Sequence, residues 1–123
     1  MTAEELLAQA DTAAANAYAP YSNYFVGAAV LARDGRVFAA ANVENAAYPL
    51  GICAERAAIG KAASEGLKPG DVEAIAITAS PCGGCRQWLH EWRFDRVLFR
   101  RADGSVAEYA ADDLLPDTWD LPS

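Results

Sequence analysis

Val72-Glu73-Ala74-Ile75-Ala76-Ile77-Thr78-Ala79-Ser80-Pro81-Cys82-Gly83-Gly84-Cys85-Arg86-Gln87 is the stretch on which the fold turns. Residues 72–78 carry Ile75 and Ile77 and read as a central strand. Ser80 is placed as an N-cap and Pro81 at the first helical position, both favoured there. A helix is expected from Pro81 to about Trp92, with Arg96-Val97-Leu98-Phe99 as the next strand. A strand, a helix and a strand in that order require a crossover, and so parallel pairing.

Upstream, Thr2 and Glu5 form a capping-box pattern, and Leu6, Leu7, Ala10, Ala13, Ala14 and Ala17 recur at helical spacing. Residues 2–18 therefore read as an amphipathic helix ended by Pro20. Phe25-Val26-Gly27-Ala28-Ala29-Val30-Leu31 is a near-continuous apolar run, as in a strand buried on both faces. Asp34-Gly35 predicts a hairpin turn returning along Arg36 to Ala40. Residues 42–52, broken by Pro49 and Gly51, read as a loop. The Ala-rich run 53–65 reads as a helix that Gly66 ends. Downstream, Asp103-Gly104 turns into a strand over 105–109, and Pro116 halts a helical turn over 112–115. The order α-β-β-α-β-α-β-β predicts one α/β domain over residues 1–123, with a mixed five-stranded sheet sandwiched by helices.

Composition narrows the function. The chain has 123 residues, a net charge of −7 and a pI of about 4.5. That balance argues against a nucleic-acid footprint and against binding to an anionic membrane. Every long apolar stretch is soon interrupted by charge or turn residues, so no membrane span is expected. Met1-Thr2-Ala3-Glu4-Glu5 lacks the basic start of a signal peptide. A cytoplasmic location is the expectation, where thiols stay reduced. Three cysteines cannot close a disulfide framework among themselves.

Those cysteines are Cys53, Cys82 and Cys85. Cys82 and Cys85 are three apart and share one helix face. Cys53 and Glu55 are two apart and can converge only if Cys53 opens its helix, so that a metal sits off the helix end. Helix N-termini favour anions, and thiolates are the ligand form of cysteine. Three thiolates on Zn²⁺ leave a fourth position for water, the catalytic pattern. They also over-neutralise the ion, which gives Arg56 a reason to stand beside the site as a compensating cation. Glu55 discriminates further: a structural zinc has no use for a carboxylate, whereas a hydrolytic one needs a proton shuttle. A lone cysteine is ordinarily a small buried hydrophobe, and a lone helix glutamate a solvated one. The spacing of all four residues outweighs those readings. His90, the single histidine, reads as a surface or subunit contact, and Trp88/Trp92 as core or interface.

The pattern Cys53-Ala54-Glu55-Arg56 followed by Pro81-Cys82-Gly83-Gly84-Cys85-Arg86-Gln87 resembles the small homotetrameric cytidine deaminases, in the three-cysteine variant of the zinc-deaminase signature. The resemblance extends over Tyr18-Ala19-Pro20-Tyr21-Ser22-Asn23, Val26-Gly27-Ala28-Ala29, Asn42-Val43-Glu44-Asn45-Ala46 and Leu114-Leu115-Pro116. It implies a three-layer α/β/α fold and a tetramer with shared active sites. One zinc per subunit would be held by Cys53, Cys82 and Cys85, with Glu55 as the shuttle and Arg56 balancing thiolate charge. The reaction implied is hydrolytic deamination of cytidine and 2′-deoxycytidine to the uridines, with release of ammonia, in pyrimidine salvage. The partner is then a free pyrimidine nucleoside.

By themselves Asn42 and Glu44 read as ordinary loop polars. The resemblance makes them ligands of the ribose 3′-hydroxyl, makes Ala54 a backbone contact to the pyrimidine, and sends Ala46 and Tyr48 to a neighbouring subunit's site. Tyr24 stands where the family usually has a Phe against the base, Phe25 where a Pro is common, and Trp119 near a C-terminal Phe that closes the neighbour's pocket. Only Ala79-Ser80 separates the third strand from Pro81, a shorter connection than usual. Two alternatives stay open. A deaminase of another aminopyrimidine, such as blasticidin S, would not need the Asn42/Glu44 pair. A zinc-binding interaction module would need a fourth protein ligand.

Overall fold

The computed structural model describes residues 1–121; Pro122 and Ser123, the end of the expected 1–123 domain, lie outside the described residues. The elements in chain order are α1 (Ala3–Ala14), β1 (Gly27–Ala32), β2 (Val37–Ala41), α2 (Ala54–Ser64), β3 (Val72–Ile77), α3 (Gly83–Trp92), β4 (Arg96–Arg100) and β5 (Val106–Tyr109). Short 3₁₀ turns occupy Tyr48–Leu50 and Ala111–Leu114. The sheet order is β2-β1-β3-β4-β5, with β3/β4 parallel and the other pairs antiparallel. The mixed five-stranded sheet is therefore present, and its parallel pair is the one that α3 joins.

Side-chain alternation along the strands makes three layers. Ala28 and Val30 of β1, Ile75 and Ile77 of β3, and Val97 and Phe99 of β4 face one way. They pack with Ala54, Ala58, Ile59 and Ala62 of α2 and Leu89 and Trp92 of α3. Ala29, Leu31, Ala74, Ala76 and Leu98 face the other way, onto Leu6, Leu7 and Ala10 of α1. All six residues of β1 are buried, but the strand opens at Gly27: Phe25 and Val26, the start of the expected run, lie outside it, with Phe25 exposed. Each fully buried Leu, Ile or Val contributes roughly 1.5–3 kcal/mol by leaving water. The alanines on the α1 face let that helix approach closely. The limit is Gly27, where a Cβ would meet the Ala10 carbonyl oxygen at 1.9 Å.

Two helix boundaries differ from expectation. The capping box of Thr2 and Glu5 is formed, but α1 stops at Ala14 and not near Pro20. Its last turn tightens, with Asn16 N–H to Ala13 O and Ala17 N–H to Ala14 O, and Tyr18 is drawn into a bridge with Val43. α3 opens with Cys82 as N-cap, two residues later than a Ser80 cap would place it. The Cys82 sulfur accepts the Cys85 N–H at 3.4 Å and does the work expected of the Ser80 hydroxyl. The 42–52 loop is also more ordered than expected, because Val43 and Ile52 exchange backbone hydrogen bonds of 3.0 and 2.8 Å.

Candidate metal centre

The sheet topology brings the N-termini of α2 and α3 together. Both open with a cysteine at the N-cap: Cys53 on α2 and Cys82 on α3. Cys85, fully buried, follows in the first turn of α3. The three Sγ atoms all lie within 4.8 Å of one another. Three ligands that each bond zinc at about 2.3 Å must converge in this way. The donor set is also the right one, since soft thiolates select zinc over hard cations such as Mg²⁺ and Ca²⁺. The N-cap geometry supplies what the two-residue spacing of Cys53 and Glu55 demands: Cys53 lies outside the helical turn that carries Glu55.

Glu55 is 4% exposed, the one buried charged side chain among the described residues. Burial pushes its carboxyl above the usual carboxylate range, against the pull of its own backbone N–H, Cys85 and Arg56. Burial likewise raises Cys85 and Cys53. Cys82 moves the other way: burial opposes ionisation, but the N–H groups of Cys85 and Gly84 lower it. Arg56 is raised: burial works against it, and the neighbouring Cys85, Cys53 and Cys82 overcome that. Its Nε is buried with no hydrogen-bond partner.

The cleft at this centre, of about 200 Å³, is lined by Tyr24, Val26, Asn42, Cys53, Ala54, Glu55, Ala79, Ser80 and Cys82. Of the residues singled out in the sequence, Tyr24, Asn42, Cys53, Ala54, Glu55 and Cys82 thus line it, with Cys85 buried behind them. Asn42 is anchored by the chain itself: its Oδ1 accepts from Val26 N–H and its Nδ2 donates to the Tyr24 carbonyl, each at 2.9 Å. Four other residues are elsewhere. Glu44 accepts from Tyr21 N–H at 3.0 Å, from Ser22 N–H at 3.2 Å and from the Ser22 hydroxyl. The Ser22 hydroxyl in particular lowers its pKa, against desolvation, with the Tyr21 and Ser22 N–H groups also contributing. It lines a separate cleft with Tyr21, Ser22, Asn45, Tyr48 and Gly51. Ala46 is exposed in the same loop. Trp119 is 66% exposed and held through its carbonyl by Gln87 Nε2 at 3.3 Å.

Arg86, quoted in the sequence pattern but given no role there, fixes the cleft's rim. Its guanidinium donates to the carbonyls of Pro81 (3.0 Å) and Leu114 (3.2 Å) and reaches the Ser80 hydroxyl at 3.5 Å. These partners include two backbone carbonyls, which carry no sequence signal; an arginine one residue after Cys85 is the only hint of the role in the sequence.

The family profile described as the cytidine and deoxycytidylate deaminase zinc-binding region matches residues 1–101. The chain is 43% identical to a cytidine deaminase of Halalkalibacterium halodurans, over 94% of this chain and 92% of that one. It is 42% identical to a cytidine deaminase of Mycobacterium tuberculosis, over 94% and 88%. Among solved structures, the cytidine deaminase of Burkholderia pseudomallei superposes with a TM-score of 0.91 at 43% identity, covering 97% of this chain and all of that one. A dCMP deaminase of the cyanophage S-TIM5, 21% identical with a TM-score of 0.66, shares the fold.

Proposed function

Because the chain belongs to the cytidine and deoxycytidylate deaminase family, we propose that it hydrolyses cytidine and 2′-deoxycytidine to the uridines and ammonia, as a zinc enzyme of pyrimidine salvage. The observation that carries the reading is the convergence of three sulfurs at two helix N-termini beside a buried carboxylate. Cys53, Cys82 and Cys85 would hold the zinc, which when bound brings the pKa of a water from about 15.7 toward roughly 7. Glu55 is the proton carrier. It takes a proton from the attacking water and gives it to N3 of the pyrimidine as C4 becomes tetrahedral; it then takes the proton of the new C4 hydroxyl and passes it to the amine, which leaves as ammonia as the C4 carbonyl forms. The low exposure of Glu55 suits a group that must accept and release protons near neutrality. Arg56 offsets the excess thiolate charge.

Tyr24 and the backbone of Ala54 would contact the base, and Asn42 and Glu44 the ribose 3′-hydroxyl. Ala46, Tyr48 and Trp119 lie outside the cleft that Asn42 and Glu55 line. That supports an oligomer, a tetramer in this reading, whose cytoplasmic active sites take residues from neighbouring copies. The substrate is the free nucleoside, with no nucleic acid or membrane involved; no helix among the described residues is long and apolar enough to cross a membrane. An interaction module fits less well, since no fourth ligand joins the cysteines among the described residues. The test is zinc content together with ultraviolet loss of cytidine, in the wild type and in Glu55→Gln. Zinc in both proteins and turnover in the wild type alone is the expected result. A zinc-loaded wild type that leaves cytidine unchanged overturns the reading.

A further inference from the structure

His90 is hydrogen-bonded at both ring nitrogens. Nδ1 lies 2.7 Å from Asp112 Oδ1 and Nε2 lies 2.8 Å from Asp120 Oδ1, with the His90 side chain 14% exposed. A neutral imidazole has one N–H and one lone pair, and a carboxylate only accepts. Both contacts are hydrogen bonds only if the ring is an imidazolium. Asp112 belongs to the 3₁₀ turn Ala111–Leu114, Asp120 to the C-terminal tail. One turn earlier on α3, Gln87 holds the Trp119 carbonyl. Successive tail residues are thus tied to side chains three apart on one helix face. Apolar burial adds little, because Trp119 is 66% and Leu121 78% exposed. The other charged groups around the His90 cleft are Arg93 and Asp95, and Asp95 is engaged by Arg33 at 2.8 Å; Glu91, next on α3, is exposed.

We propose that His90, clamped between Asp112 and Asp120, is a positioning residue that fastens the C-terminal tail to α3 and thereby sets the placement of Trp119. What Trp119 covers rests on the deaminase reading; the clamp itself does not. Asp112 first, then Asp120, raise the ring above the ordinary histidine value of about 6.5. A raised folded value means that the clamp is complete below the ordinary value and is lost as pH rises through the raised one.

His90 is the sole histidine, so untagged protein gives one set of imidazole resonances. The experiment follows them by NMR against pH, together with the Trp119 indole N–H, assigned by its loss in Trp119→Phe. The expected result is a His90 midpoint above 6.5, with the Trp119 resonance moving at that same midpoint. The midpoint should fall toward the ordinary value in Asp112→Asn and in Asp120→Asn, and stay up in Asp120→Glu. A wild-type midpoint at or below 6.5, or one that neither Asn substitution lowers, overturns the clamp. A Trp119 resonance indifferent to His90 titration overturns its link to the tail. On the deaminase reading, KM for cytidine rises across that midpoint while kcat holds. A flat KM beside a moving Trp119 overturns the tail's part in the pocket, whereas absence of turnover at every pH overturns the deaminase reading and leaves the titration as it stands.

Discussion

Glu55 and Arg56 stand side by side and are asked for opposite things. In the proposed reaction Glu55 must exchange protons, and Arg56 must never lose one. Glu55→Gln keeps the shape and removes the exchange, so kcat should fall by about 10²–10⁴-fold with zinc content unchanged; stopped-flow absorbance and metal analysis on one sample check both halves. Arg56→Gln removes the cation that faces Cys85, Cys53 and Cys82. Zinc affinity, measured by competition with a chelator, should drop, and rate with it; equal affinity and rate would dismiss charge balance as its role. The convergence of the three cysteines with Glu55 is legible in sequence because a two-residue and a three-residue spacing suffice to aim them. Glu44 was less legible, because its hydroxyl and N–H partners, Tyr21 and Ser22, lie more than twenty positions away. His90 reads in sequence only as a surface or subunit contact for the same reason: its two carboxylates come from distant segments.

At the scale of elements, α3 shows what pattern can and cannot place. The strand–helix–strand order gave the parallel β3/β4 pair correctly, since a crossover admits little else. The helix start was misplaced because Ser80-Pro81 is a strong local cap signal, while the cap used is the Cys82 sulfur. The proposed ligand and the cap are thus one atom, which yields a separable prediction. Cys82→Ser retains a good N-cap, so circular dichroism should show unchanged helix, while zinc content falls well below that of the wild type. A variant that loses helix and zinc together would mean that the metal, not the cap, holds the start of α3. At the opposite face, Gly27→Ala pushes a methyl into the Ala10 carbonyl, a contact of 1.9 Å that backbone must yield to relieve. Overpacking of this kind costs typically 1–3 kcal/mol, and more where backbone is the obstacle. Differential scanning calorimetry should show a Tm lowered by several degrees, with zinc still bound because α1 packs on the face away from the site.

Across the whole molecule, exposed apolar side chains gather on one side. Tyr18, Tyr21, Tyr24, Phe25, Val43, Tyr48, Leu50 and Ile52 are all exposed, and they cluster around the turn at 20–23 and the 42–52 loop. Exposed apolar surface gathered in this way marks an interaction face. The fold's layers were legible because alternation and helical periodicity are local, whereas this face is not: its residues look in sequence like the interrupted ends of core segments. If copies of the chain complete one another's sites there, two defects on different chains should cancel. Glu55→Gln destroys the shuttle of its own site, and Tyr48→Ala damages the site of the neighbour. Either protein alone should be nearly inactive. Co-expressed, a site that takes Glu55 from the Tyr48→Ala chain and Tyr48 from the Glu55→Gln chain is intact, so the mixed oligomer should turn over cytidine well above either parent. Light scattering should give one assembly mass for all three samples. Activity of the mixture no greater than the mean of its parents, at that same mass, would mean that each cleft is closed by its own chain and that the exposed tyrosines serve assembly alone.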